Sequence, residues 1–174
     1  MKNKKLRLWL RTGILLVFTA TVVVTLFQAF NKNETVAQGQ LAPNFVLENL
    51  DGEEIQLKDF RGKGVLLNFW GSWCEPCKEE MPFLNAVAQE DMEGIVILGI
   101  NDNEPRYTVK QFVQRNHIQF PILLDIDQVV TSAYNIGPLP TTFFINADGE
   151  IVDKVVGQMP NPEFIKNKLK KIQP

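Results

Sequence analysis

Val65-Leu66-Leu67-Asn68-Phe69-Trp70-Gly71-Ser72-Trp73-Cys74-Glu75-Pro76-Cys77 is the stretch that decides how this chain folds. Residues 65–70 are apolar apart from Asn68, as a strand covered on both faces requires. Residues 76 to about 90 then carry Met81, Leu84, Val87 and Ala88 at helical spacing, with Pro82 expected to kink the helix. The two cysteines, the only ones in the chain, therefore fall where a strand hands over to a helix. A thiol there faces unpaired backbone N–H groups and the positive end of the macrodipole, which stabilise the thiolate that attacks disulfides. Two intervening residues let both sulfurs share the first turn, so one can attack a partner's disulfide and the other resolve the mixed intermediate.

Other uses of the pair fit less well. Structural zinc needs four ligands, and His117 is the only histidine available to supplement the cysteines, so no metal site is expected. Haem attachment would place His directly after the second cysteine, where Lys78 stands. A purely structural disulfide is the remaining alternative, although closing so short a loop removes little unfolded-state entropy.

Outward from the motif, residues 45–47 and 53–57 flank Asn49-Leu50-Asp51-Gly52 as a hairpin, and 95–100 form a second buried strand. A helix over 107–116 follows, with Val109, Phe112 and Val113 on one face, then an extended piece at 120–124 and a short helix at 128–134. Strands at 141–146 and 151–156 flank Ala147-Asp148-Gly149-Glu150, and a Lys-rich helix runs from 162 to about 172. This order predicts an α/β fold: a mixed central sheet with helices on both faces, an N-terminal β-hairpin and a β-α insertion.

The first thirty residues hold five of the 18 basic side chains and none of the 20 acidic ones, and residues 12–30 carry no charge. Nineteen residues at about 1.5 Å each nearly match the ~30 Å hydrocarbon core, longer than a typical secretory apolar region. A single transmembrane helix over 12–30 is expected, with 1–11 cytoplasmic, 31–40 a tether and 41–174 an extracytoplasmic domain; a cleaved signal is the alternative. The remainder, with 13 basic against 20 acidic residues, is about seven charges negative, which argues against nucleic acid or anionic lipid as its main partner.

Asn68 to Lys78, Pro82, and Pro138-Leu139-Pro140-Thr141-Thr142 before a strand together resemble the thioredoxin superfamily over roughly residues 40–174. With the basic end, the anchor and Cys-Glu-Pro-Cys, the chain is most similar to the ResA family of membrane-anchored, extracytoplasmic thiol–disulfide oxidoreductases of Gram-positive bacteria. That resemblance implies reduction of the haem-binding-site disulfide of apocytochrome c. It also implies an integral membrane thiol–disulfide carrier as electron donor, and no cofactor beyond the Cys74–Cys77 pair. A relative of the same architecture serves spore cortex synthesis. The family further implies a cis Pro140 against the cysteines, presenting the Leu139 backbone as an open edge for a substrate peptide, and a Trp73 that shields Cys74. An ordinary trans turn is the alternative for Pro140.

Cytosolic thioredoxins carry a buried aspartate where this chain has Asn68, and an amide cannot accept the proton. Glu80, about 60° around the helix from Cys77, is the replacement that helix phase selects, and the ResA family also has a glutamate at the matching position. Simple solvation is the alternative for Glu80; Glu104, after the second strand, matches another acidic position of the family more loosely, and loop solvation is its favoured reading. His117 reads as a helix cap or surface group. A non-catalytic module that binds unfolded apoprotein, or a thiol peroxidase, would be the competing functions.

Glu75, between the cysteines, opposes the Cys74 thiolate and so marks an electron donor. The reduction potential is expected at or below about −270 mV, the thioredoxin value; equilibration against glutathione measures it, and a value above about −200 mV contradicts the reductant reading.

Overall fold

The computed structural model describes residues 9, 11, 13–23, 25, 36–90 and 92–174. The chain divides after residue 34 into two units. In the first, residues 13–23 are helical, with Ile14, Leu15, Leu16, Val17, Phe18 and Val23 exposed. The Thr19, Thr21 and Thr25 hydroxyls donate to carbonyls three and four residues back along this segment. Among the described residues no helix is long and apolar enough to cross a membrane. Residues 12, 24 and 26–30 of the expected anchor, and 31–35 of the tether, lie outside the described residues.

The second unit is built on one sheet of seven strands in the order β2-β1-β5-β4-β3-β6-β7. At its centre β3 (Gly64–Trp70) is buried at every residue. Successive side chains of a strand point to opposite faces, so Leu66 and Trp70 join one apolar cluster while Val65, Leu67 and Phe69 join the other. Asn68 consequently shares the Leu66–Trp70 face. β4 (Ile95–Asp102) lies parallel to β3, and β5 (Ile122–Asp125) parallel to β4. β6 (Thr141–Ile145) is antiparallel to β3 and to β7 (Ile151–Val156), while β1 (Val46–Asn49) is antiparallel to β5 and to β2 (Glu54–Gln56).

Helices close both faces of this mixed sheet. α1 (Glu75–Gln89), α2 (Arg106–Arg115) and α4 (Pro162–Leu169) bury Cys77, Met81, Leu84, Val87, Val109, Ile165 and Leu169 in the first cluster. α3 (Val129–Ala133) and the 3₁₀ turn Leu57–Phe60 contribute Val130 and Leu57 to the second. Pro82 lies inside α1, where its ring leaves one turn without a backbone donor.

Several boundaries differ from the sequence reading for identifiable reasons. Phe45 precedes β1 and packs its ring 6.4 Å from Tyr134, while Leu57 opens the 3₁₀ turn. β4 runs on through Asn101 and Asp102 because Leu124 and Asp125 pair with them. α4 ends at Leu169, and tighter turns carry the chain to Ile172. Gly39 and Gln40, expected in the tether, are already tied to β7: the Gly39 N–H donates to the Ile151 carbonyl and the Ile151 N–H to the Gln40 carbonyl, both at 2.8 Å. His117, at φ 53°, follows Asn116, the C-cap of α2, and the Ile118 N–H reaches back to the Val113 carbonyl at 3.1 Å, so this residue ends the helix in a left-handed cap.

Gly64 begins β3 beneath the C-terminal turn, where a Cβ would collide with the Ile172 carbonyl oxygen and approach Ile95 Cδ1 to 2.8 Å. A backbone obstacle cannot rotate away. Gly64→Ala is expected to destabilise the protein by about 1–3 kcal/mol, read as a lower urea midpoint at unchanged m-value.

Candidate active site

β3 ends at Trp70, and the chain turns through Gly71, Ser72 and Trp73 to Cys74, the N-cap of α1. Pro76 falls in the first turn, where its missing N–H removes no helix bond. Cys74 and Cys77 form a disulfide with Cα atoms 5.3 Å apart, and the Cys77 N–H points at Cys74 Sγ at 3.3 Å. Cys77 is 0% exposed and Cys74 only 6%. Cys74 is thus the outer sulfur, although only a small part of it reaches solvent. The Trp73 side chain is 63% exposed. Its indole lies back over Gly71, where a Cβ would stand 2.7 Å from Nε1. A larger residue at that turn would have to push the exposed indole aside.

Glu80, one turn beyond Cys77, is fully buried. Its Oε1 accepts from Asn68 Nδ2 at 2.7 Å and its Oε2 from the Met159 N–H at 3.0 Å. Asn68 Nδ2 also donates to Thr142 Oγ1 at 2.9 Å, directly across the β3–β6 ladder. Burial pushes the carboxyl from 4.5 up to about 7, against the opposing pull of the Met159 and Asn68 hydrogen bonds. The group can therefore take or release a proton near neutral pH beside a thiol of the same helix face. Neither Thr142 nor Met159 was a candidate from the sequence. A lone amide in a buried strand already signals that it needs partners, which could have pointed to Thr142 across the sheet; a donating backbone N–H after β7 leaves no signal.

Two acidic residues require correction. Glu104 was expected to be solvated, but it is buried, accepting from the Ser72 N–H at 2.6 Å, from the Ser72 hydroxyl, and from Asn101 Nδ2 at 2.8 Å. It thereby anchors the turn that delivers Cys74, and it was missed because the extension of β4 through Asn101 hides the loop from solvent. Glu75 has a side chain 72% exposed and paired with Lys78 at 2.9 Å, so water and a counter-charge screen its effect on Cys74. The case for a low potential loses most of that support.

The Leu139–Pro140 peptide is cis. Pro140 is buried, its carbonyl accepting from the Gly157 N–H at 2.8 Å, and Leu139 packs against the cluster that contains both cysteines. Among the described residues neither the N–H nor the carbonyl of Leu139 has a hydrogen-bond partner. Such an edge can pair with an extended peptide. No group of three or more His, Cys, Asp or Glu side chains among the described residues could hold a metal ion.

A thioredoxin-like sheet carrying a Cys-x-x-Cys disulfide at a helix N-terminus defines a thiol–disulfide oxidoreductase. The AhpC/TSA family matches residues 38–154. The chain is 45% identical to the thiol-disulfide oxidoreductase ResA of Bacillus subtilis, over 90% of this chain and 89% of that one. It is likewise 45% identical to ResA of Geobacillus kaustophilus, over 99% of each. A solved structure of a candidate thiol:disulfide interchange protein DsbE from Chlorobium tepidum superposes with a TM-score of 0.74 at 26% identity, covering 79% of this chain and 99% of that one. The chain belongs to the ResA thiol–disulfide oxidoreductases of the AhpC/TSA family.

Because the folded-state pKa of Glu80 lies above its ordinary value of 4.5, folding favours the protonated form; that contribution is complete below about 4.5 and is lost as pH rises through about 7. The oxidised protein is expected to lose on the order of 2–3 kcal/mol of stability between about pH 5 and 8. Glu80→Gln should flatten this dependence and also remove the inflection near neutrality from the rate–pH profile of disulfide reduction. Denaturant titrations across pH, paired with stopped-flow rates, check both.

Proposed function

We propose that this chain is a membrane-anchored, extracytoplasmic reductase that opens the haem-binding-site disulfide of apocytochrome c before haem is attached. The observation that carries the reading is the asymmetry of the pair: an outer N-cap Cys74, and a fully buried Cys77 backed by a carboxyl that titrates near neutrality. In the reduced protein the Cys74 thiolate attacks one substrate sulfur, and the other substrate sulfur leaves as a thiolate and takes a proton. Cys77 gives its proton to Glu80 and attacks Cys74 Sγ; the substrate sulfur bound to Cys74 leaves as a thiolate and takes a proton in turn, so the substrate departs as a dithiol and the disulfide seen here remains. Two electrons then return from an integral membrane thiol–disulfide carrier.

Trp73 and the Leu139 backbone are the surfaces assigned to the substrate chain, beside Pro140. The helical segment supports an anchor: it presents apolar side chains outward, and its threonine hydroxyls are satisfied by its own carbonyls, as a lipid environment demands, while the basic residues at the start of the chain support a cytoplasmic N-terminus. The 45% identity to ResA proteins supports the oxidoreductase chemistry on which the substrate assignment builds.

Cys77→Ala removes the resolving thiol and stalls the mixed disulfide on Cys74. Expressed as the full chain in a Gram-positive host, it is expected to capture apocytochrome c; capture of a different extracytoplasmic protein would redirect the assignment to another disulfide, such as one in spore cortex synthesis. A Cys74→Ser/Cys77→Ser chain that still supported holocytochrome c formation would instead favour a binding module without redox chemistry.

A further inference from the structure

Asn68 is fully buried and its two side-chain atoms are treated unequally. Nδ2 uses both hydrogens, on Glu80 Oε1 at 2.7 Å and Thr142 Oγ1 at 2.9 Å, while Oδ1 has no hydrogen-bond partner. A buried carbonyl oxygen left unpaired is costly and calls for an explanation. The ionised form of Glu80 supplies one. With the amide turned the other way, Oδ1 would face a carboxylate oxygen and both would repel; as observed, the carboxylate receives donors on both oxygens, from Asn68 and from the Met159 N–H. Once a proton sits on Oε1 the preference reverses. The O–H would then confront the Asn68 NH₂ group, whereas a rotated amide offers it Oδ1 and in exchange turns both amide hydrogens toward the side where the oxygen had no partner. The Thr142 hydroxyl serves either arrangement, because it can accept from Nδ2 or donate to Oδ1.

We propose that Asn68 is a positioning residue whose amide turns by half a turn when Glu80 gains or loses its proton, so that the protonation state of the acid is registered at Thr142, two residues beyond Pro140. The inference rests on the reading of Glu80 as the proton-holding group. Glu80 bonds to Asn68 from β3 and to the Met159 N–H from the segment after β7, and it stands one turn beyond Cys77 on its own helix; among the described residues no charged side chain bonds to it. In the oxidised protein the cysteines do not titrate, so Glu80 can be followed alone.

The test is an NMR titration of the oxidised, isotope-labelled full chain in detergent micelles, following the Glu80 carboxyl carbon and the nuclear Overhauser contacts from the Asn68 NH₂ protons to the Thr142 methyl group. Those contacts are expected to disappear on acidification with the same midpoint as Glu80. Thr142→Val takes the acceptor from one amide hydrogen in the ionised state, whereas in the rotated state Oδ1 still receives the Glu80 proton. It should therefore raise the midpoint by about one pH unit, with Thr142→Ser restoring it. Contacts that persist while Glu80 titrates, or a midpoint indifferent to Thr142→Val, would make Asn68 a static strut and overturn the inference alone. A Glu80 that does not titrate between about pH 5 and 9 would overturn the proton-holding reading as well.

Discussion

β3 has no solvent-facing side. Because both of its faces are covered, every side chain it carries is committed to one of two packed layers, and the single polar residue among them, Asn68, must find its hydrogen bonds inside the protein. It finds Thr142 on the neighbouring strand and Glu80 on the helix above. The same strand ends at Trp70, whose ring packs 5.0 Å from Phe112, so the turn to Cys74 leaves from a fixed point. A redox centre of short reach needs that rigidity, since nucleophile and resolving thiol work within one helical turn.

Two buried glutamates serve the elements that carry the cysteine pair and do different work. Glu104 accepts from the Ser72 backbone and hydroxyl and from Asn101, a donor set that holds its side chain in place and orients the approach to α1. Glu80 has one donor for each oxygen in a more deeply apolar setting, where burial outweighs those bonds and lifts its pKa to about 7. Environment alone separates the roles of two identical side chains. The exposed Glu75, paired with Lys78, shows the third outcome: a charge whose influence water largely removes.

The chain also carries its acid on a different element from the cytosolic thioredoxins it resembles, which place an aspartate at the position of Asn68. On α1 the carboxyl moves with the helix that bears Cys77, while the strand beneath contributes an amide able to donate or accept. An amide in a buried strand is tolerable only with such partners, and the oxygen it leaves unpaired marks where the arrangement is least settled.

Much of this was readable from residue order. Apolar runs at β3, interrupted only by Asn68, and at the start of β4, the glycine-bearing hairpin turns and the helical spacing after Cys77 are local patterns, and local patterns specify strands, turns and helices through backbone preferences and side-chain periodicity. The position of the cysteines at a strand-to-helix junction, and the phase that puts Glu80 on the Cys77 side of the helix, follow from the same periodicities. The fate of Glu104, the bond from the Met159 N–H and the pairing of Asn68 with Thr142 depended instead on residues distant in the chain, Ser72 lying 32 positions from Glu104, Thr142 lying 74 from Asn68 and Met159 lying 79 from Glu80. Sequence alone determined which groups could do redox and proton chemistry. Tertiary structure decided which of them are withdrawn from water and what they bond, because burial and the pKa that follows from it belong to the packed surroundings of a side chain and not to the side chain itself.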